Sequence, residues 1–129
     1  MPFNVQFEIP GLPPINSADG LNRWARKKHK DRWMREVMVG ARNAGAKPNE
    51  PMKHAFVTIV RCSRSRPDYD NLVQGGKFLM DGLVHAGLIL DDDWDCVGRP
   101  MYDWEGIQRD RGKIVILVEE SDCAPGFWL

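Results

Sequence analysis

The sequence has no apolar run approaching the roughly 20 residues that a membrane-spanning helix requires. Its start, Met1-Pro2-Phe3-Asn4, has neither the basic end nor the apolar stretch of a secretory signal. Both absences point to a soluble protein of the cytoplasm. Cysteine is scarce: Cys62, Cys96 and Cys123 are odd in number and widely spaced, which excludes a disulfide framework and a CxxC zinc site and leaves buried, reduced thiols. The three histidines, His29, His54 and His85, have no mutual spacing for a metal site or proton relay, so they read as structural, with His29 placed to touch a polyanion. No internal repeat or low-complexity segment divides the chain. The 129 residues, 43% of them hydrophobic, suit one domain closing a single core.

Net charge is also missing, because 18 basic and 18 acidic residues cancel. The two signs are nevertheless segregated. Between residues 23 and 36, seven basic side chains (Arg23, Arg26, Lys27, Lys28, Lys30, Arg32 and Arg35) oppose only Asp31 and Glu36. Between residues 68 and 95, seven aspartates oppose only Lys77. A basic stretch can hold a polyanion while a separate acidic one holds cations, so overall neutrality does not exclude nucleic acid.

Phe3, Val5, Phe7 and Ile9 alternate with polar residues and predict a strand with one buried face, ended by Gly11-Leu12-Pro13-Pro14. Residues 16–32 form a basic arm of poor periodicity, expected as a mobile loop. Trp33, Met34, Val37, Met38 and Ala41 then recur at helical spacing up to Asn43-Ala44-Gly45. The runs from Ala55 to Val60 and from Ile114 to Val118 are apolar at every second and intervening position alike, which predicts central strands of a sheet covered on both faces. Between them Leu72, Gly76, Leu79, Leu83 and Ala86 mark an amphipathic helix over 72–86 stopped by Gly87. Leu88-Ile89-Leu90 reads as a short strand. The expected fold is α/β (α+β), one small mixed sheet with helices packed on it. Residues 120–129 are expected as a tail, whose apolar end Phe127-Trp128-Leu129 either docks, meets a partner or frays.

The acids carry the chemistry. Asp68 and Asp70 alternate, so on an extended chain their carboxylates leave one face about 7 Å apart. The helix after them returns the chain, allowing the aspartates after Leu90 to lie beside that pair. Three such carboxylates repel unless protonated or bridged by a cation. Oxygen ligands without His or Cys favour Mg²⁺, with Mn²⁺ able to substitute. Together with a basic arm, such a centre predicts metal-assisted phosphodiester cleavage, in which the ion polarises the scissile phosphate and makes water a better nucleophile. Lys77 would stabilise charge developing on the phosphate; otherwise it is a solvated helix residue. Asp91, Asp93 and Asp95 mimic the opening of a calcium loop, but Cys96 stands at the position of its glycine and Tyr102 at that of its closing Glu.

Three stretches are specific enough to name. Arg66-Pro67-Asp68-Tyr69-Asp70-Asn71-Leu72, Lys77-Phe78-Leu79-Met80-Asp81-Gly82-Leu83 and His85-Ala86-Gly87-Leu88-Ile89-Leu90-Asp91-Asp92 closely resemble the core of the RusA-type Holliday junction resolvases, the crossover junction endodeoxyribonucleases. The resemblance covers residues 66–92, and the flanking parts agree only in layout. It implies that Asp68, Asp70 and Asp92 form a catalytic metal site, with Asp91 and Asn71 supporting it and Asp93 outside the motif. The family lysine falls four residues after the second motif aspartate, where this chain has Gln74. Counted back from Asp81 it falls on Lys77, as if Gln74-Gly75-Gly76 included a three-residue insertion.

The implied activity is Mg²⁺-dependent resolution of four-way junctions by paired symmetric nicks in DNA recombination and repair. The setting would be a bacterial or phage-infected cell. Two nicks from a chain with one acidic cluster imply a two-fold homodimer. Arg23, Arg26, Lys27, Lys28, Lys30 and Arg66 are the expected DNA contacts, with Trp24 either stacking on a base or packing in the core; a solvated helix face is the plain alternative for the basic segment. A related nuclease acting on flaps, forks or replication intermediates, and a DNA-binding protein without catalysis, remain open on the sequence alone.

Overall fold

The structure, a computed structural model, describes residues 3–13, 23–45, 48–108 and 111–122. Six elements follow in order: β1 (Asn4–Pro10), α1 (Arg23–Asn43), β2 (Ala55–Ser63), α2 (Tyr69–His85), β3 (Met101–Gly106) and β4 (Lys113–Glu120). They build one four-stranded mixed sheet in the order β1-β4-β2-β3. β4 pairs antiparallel with both β1 and β2, and β3 runs parallel to β2. Two parallel neighbours need a crossover, and α2 supplies it. No helix among the described residues is long and apolar enough to cross a membrane.

The alternation seen in Phe3–Ile9 produces its strand, with Val5, Phe7 and Ile9 buried. The runs from Ala55 and Ile114 are the two central strands, as their composition predicts. They are covered on one face only. Ala55, Val57 and Ile59 of β2 and Ile114, Ile116 and Val118 of β4 join Trp33, Val37, Leu79 and Leu83 in a single core. On the opposite face Phe56 is 46% exposed, and Thr58, Val60, Val115 and Leu117 are half-buried. Both-face apolarity here is thus not double coverage, because the two helices share one side of the sheet.

Helix α1 begins at Arg23, so residues 23–32 of the expected mobile arm are helical; residues 16–22 lie outside the described part. Arg, Ala and Lys are good helix formers whatever their periodicity. The later turns anchor the helix through Trp33, Val37 and Ala41. Helix α2 starts three residues earlier than its apolar pattern indicates and stops at Gly87, whose φ of 77° takes the left-handed conformation that ends a helix. Leu88-Ile89-Leu90 contributes only an isolated bridge between Ile89 and Met52. The fifth element is instead β3, an edge strand. Cys62 and Cys96 are buried and free; Cys123 and the Phe127-Trp128-Leu129 tail lie outside the described residues.

The helices meet closely. A Cβ added at Gly82 of α2 would stand 2.8 Å from Val37 Cβ and 3.2 Å from the Met34 backbone of α1. This contact sets the spacing of the groove between the two helices.

Candidate active site

Strand β2 ends at Ser63, and the chain turns through Pro67 into α2. Asp68 is the N-cap, extended at φ −67° and ψ 152°, and its carbonyl accepts from the Asn71 and Leu72 amides at 3.1 Å. Asp70 lies in the first helical turn. The pair therefore does not alternate on a strand, as the sequence spacing predicts. It occupies the head of a helix, where unpaired N–H groups and the helix dipole favour negative charge. Asn71 is half-buried behind it.

At the other end of α2, Gly87 and the Met52–Ile89 bridge lead into the second acidic group. The Asp92 amide donates to Asp91 Oδ1 at 2.7 Å. The Asp92 carboxyl is held above the usual aspartate range, first by partial desolvation, then by a hydrogen bond with the Asp91 carboxyl and by the charge of Asp81. Asp93 serves the backbone instead, its Oδ1 accepting from the Cys96 amide at 2.9 Å and capping the turn that follows.

The expected gathering of Asp68, Asp70 and Asp92 into one cluster is not what the described side chains form. Among the described residues, no group of three or more His, Cys, Asp or Glu is close enough to hold a metal ion. Helix α2 is the spacer. Asp70 and Asp81 share one face but stand eleven residues apart, about 16 Å of helical rise, and Asp92 lies within reach of Asp81. Asp68, Asp70, Asp91 and Asp92 are all exposed, so their positions are set by solvation and mutual repulsion rather than by packing. The donors are hard oxygens, as Mg²⁺ and Mn²⁺ require. The crowding at Asp92 is a charge imbalance that a cation relieves.

Two residues escape the sequence reading. Asp81 belongs to the second motif stretch, yet only the structure shows its charge acting on Asp92. Tyr102 of β3 is the other. Its phenol is pushed up to about 12, first by burial and then by the neighbouring Tyr69 and Asp92. No linear signal joins Tyr102 to residues ten and thirty-three positions away.

Lys77 lies seven residues beyond Asp70, about 10 Å along an uninterrupted helix. The structure places it in an open groove of about 630 Å³ between α1 and α2, with Arg23, Arg26, Lys27 and Lys30 on the facing wall. Asp31, Asp81 and His85 also line it. Lys30 Nζ stands 3.9 Å from Asp81 Oδ2, a partly exposed and therefore weak pair. Lys28 is outside this lining and stacks on Trp24, its Nζ 4.0 Å from the ring centroid, while Trp24 is 69% exposed. Arg66 lies beyond the end of β2, its guanidinium 5.9 Å from the Trp104 ring; the Trp104 indole donates to Ser63 Oγ at 3.0 Å.

Crowding at Asp92 has a thermodynamic sign. Because its folded-state pKa is raised, the carboxyl costs no native stability below the ordinary aspartate value of 3.8. Stability falls as the pH rises through the raised value. Asp92→Asn removes that loss. In metal-free buffer at pH 7 this variant is expected to melt at or above the wild-type temperature, the difference vanishing in acid. A lower melting temperature at pH 7 would show that Asp92 is not electrostatically crowded.

No protein-family model matches the chain, and a search of the curated proteins returns no match.

Proposed function

We propose that this protein is a RusA-like, Mg²⁺-dependent endodeoxyribonuclease that nicks branched DNA, with four-way junctions as its substrate. One observation carries the reading: a single helix, α2, bears acidic groups at its head and beside its tail, while its side wall forms a basic groove with α1. The groove supplies five cationic side chains to a phosphate backbone. Asp68, Asp70 and Asp92 would hold the ion, Mg²⁺ or Mn²⁺, with Asp91 steadying Asp92. The ion supplies Lewis acidity at the phosphate and a better water nucleophile. Lys77 faces the groove, where it binds and orients a phosphate rather than standing among the acids. Symmetric cutting of a four-way junction calls for two copies of the site, hence a homodimer.

DNA binding is tested by its salt dependence. Replacing Lys27 and Lys30 together by Ala is expected to flatten the slope of log K against log salt by about 2, near 0.9 for each phosphate released. Lys28→Ala, off the groove, should change it far less. Equal effects at all three positions would return the basic segment to a general surface charge. Substrate class is tested by comparing four-way junctions, flaps, forks and linear duplex at one Mg²⁺ concentration. Preferential paired nicking of the junction is the expected result. Preference for a flap or fork would assign the same chemistry to another branched substrate, and binding without strand breaks would leave a DNA-binding protein.

A further inference from the structure

Tyr102 occupies the space between the two halves of the acidic site. Its backbone pairs with Ile59 of β2, and its ring crosses from β3 to α2. There the ring fills the place of a side chain: a Cβ built at Gly76 would fall 2.2 Å from Tyr102 Cε1 and 3.0 Å from Cδ1. Gly76 is buried, and with Leu72, Gly75 and Leu79 it walls the narrow space that takes the ring. The ring is thus fixed by the helix that carries Asp70. The phenol at its tip is in electrostatic reach of Tyr69, the residue between Asp68 and Asp70, and of the Asp92 carboxylate. One polar group, rigidly mounted, faces both ends of a constellation whose carboxylates stand apart.

We propose that Tyr102 is a positioning residue for the cation site, its neutral hydroxyl donating to the Asp92 carboxylate and turning it toward the head of α2 when a divalent ion binds. The inference rests on the metal-site reading above and deepens it, since it explains why α2 has a glycine at position 76. A carboxylate oriented by an outer hydrogen bond loses less freedom on ligating. The hydroxyl stays protonated throughout and takes no part in bond making.

The test is Tyr102→Phe, which keeps the ring against Gly76 and removes only the hydroxyl. Manganese binding to the full chain, read from the free-ion electron spin resonance signal, is expected to weaken about tenfold, the lower range for loss of an outer-shell partner. The Mg²⁺ concentration giving half-maximal nicking should rise by a similar factor. Junction affinity measured in Ca²⁺ and the melting temperature should stay near wild type. Gly76→Ala, which displaces the ring, should shift the Mg²⁺ midpoint in the same direction and also lower the melting temperature. Unchanged manganese affinity in Tyr102→Phe, in a wild type that binds manganese and nicks junctions, overturns the role of Tyr102 alone. A wild type that binds manganese more tightly than Tyr102→Phe but cuts no DNA supports the positioning role and overturns the nuclease reading. A wild type that binds no manganese overturns both.

Discussion

Asp92→Asn is expected to slow nicking of a four-way junction by about a thousandfold or more at saturating Mg²⁺ while leaving junction affinity unchanged or slightly stronger. The two effects have one cause. Asn keeps the size of the side chain but loses the charge that a hard divalent ion requires, and loss of negative charge near a phosphate does not weaken attraction for DNA. Asp68→Asn and Asp70→Asn should behave alike in cleavage. They differ in the metal-free protein: Asp92 is crowded by Asp91 and Asp81, whereas Asp70 sits at the favourable end of the α2 dipole. Only at Asp92 should neutralisation bring no loss of stability. Single-turnover cleavage beside a gel-shift titration measures both quantities. Near-wild-type rates in Asp92→Asn would remove that residue from the chemistry.

The largest expected change in stability is at Trp33. It is 1% exposed and links α1 to the core, with the Arg32 guanidinium 4.8 Å from its ring. Trp33→Ala deletes that volume and should cost about 4 kcal/mol, lowering the melting temperature by roughly 15 °C for a domain of this size. Against a total stability on the order of 5–15 kcal/mol, part of the population would be unfolded at growth temperature. Trp33→Phe is a sharper comparison. The indole N–H of Trp33 is buried without a hydrogen-bond partner, which costs about 1–3 kcal/mol. Phe sheds that burden while losing some packing, so it should fall within about 1 kcal/mol of wild type. Urea denaturation of the three proteins checks the order; a Phe variant as damaged as Ala would mean that the indole is satisfied in solution.

Strong periodicity made parts of the fold legible. Phe3, Val5, Phe7 and Ile9 declared β1 by alternation, and Leu79 and Leu83 declared α2 together with its stop at Gly87. The first turns of α1 were hidden because they bury nothing: Arg23 to Arg32 are held as helix by propensity and by the anchor that begins at Trp33. Strand β3 was hidden for the opposite reason. Asp103 and Glu105 are exposed on an edge strand, so no apolar run marks it, whereas the fully apolar Leu88-Ile89-Leu90 makes only one bridge.

For the candidate site, spacing identified the acidic residues but misjudged their geometry. Asp68 and Asp70 read as a strand pair until the helix is seen to start at Tyr69. That early start lengthens α2 and separates them from Asp92. The groove and the Tyr102 contact depend on Gly82 and Gly76, whose meaning lies in what the opposite element places against them.

The most direct test of the central claim is cleavage of a synthetic four-way junction by wild type and Asp70→Asn side by side, with Mg²⁺ and with chelator. Wild type with Mg²⁺ should introduce paired, symmetric nicks. Asp70→Asn, and wild type in chelator, should bind the junction and leave it whole. Equal cutting by the two proteins, or no cutting by wild type at any Mg²⁺ or Mn²⁺ concentration, would contradict the account.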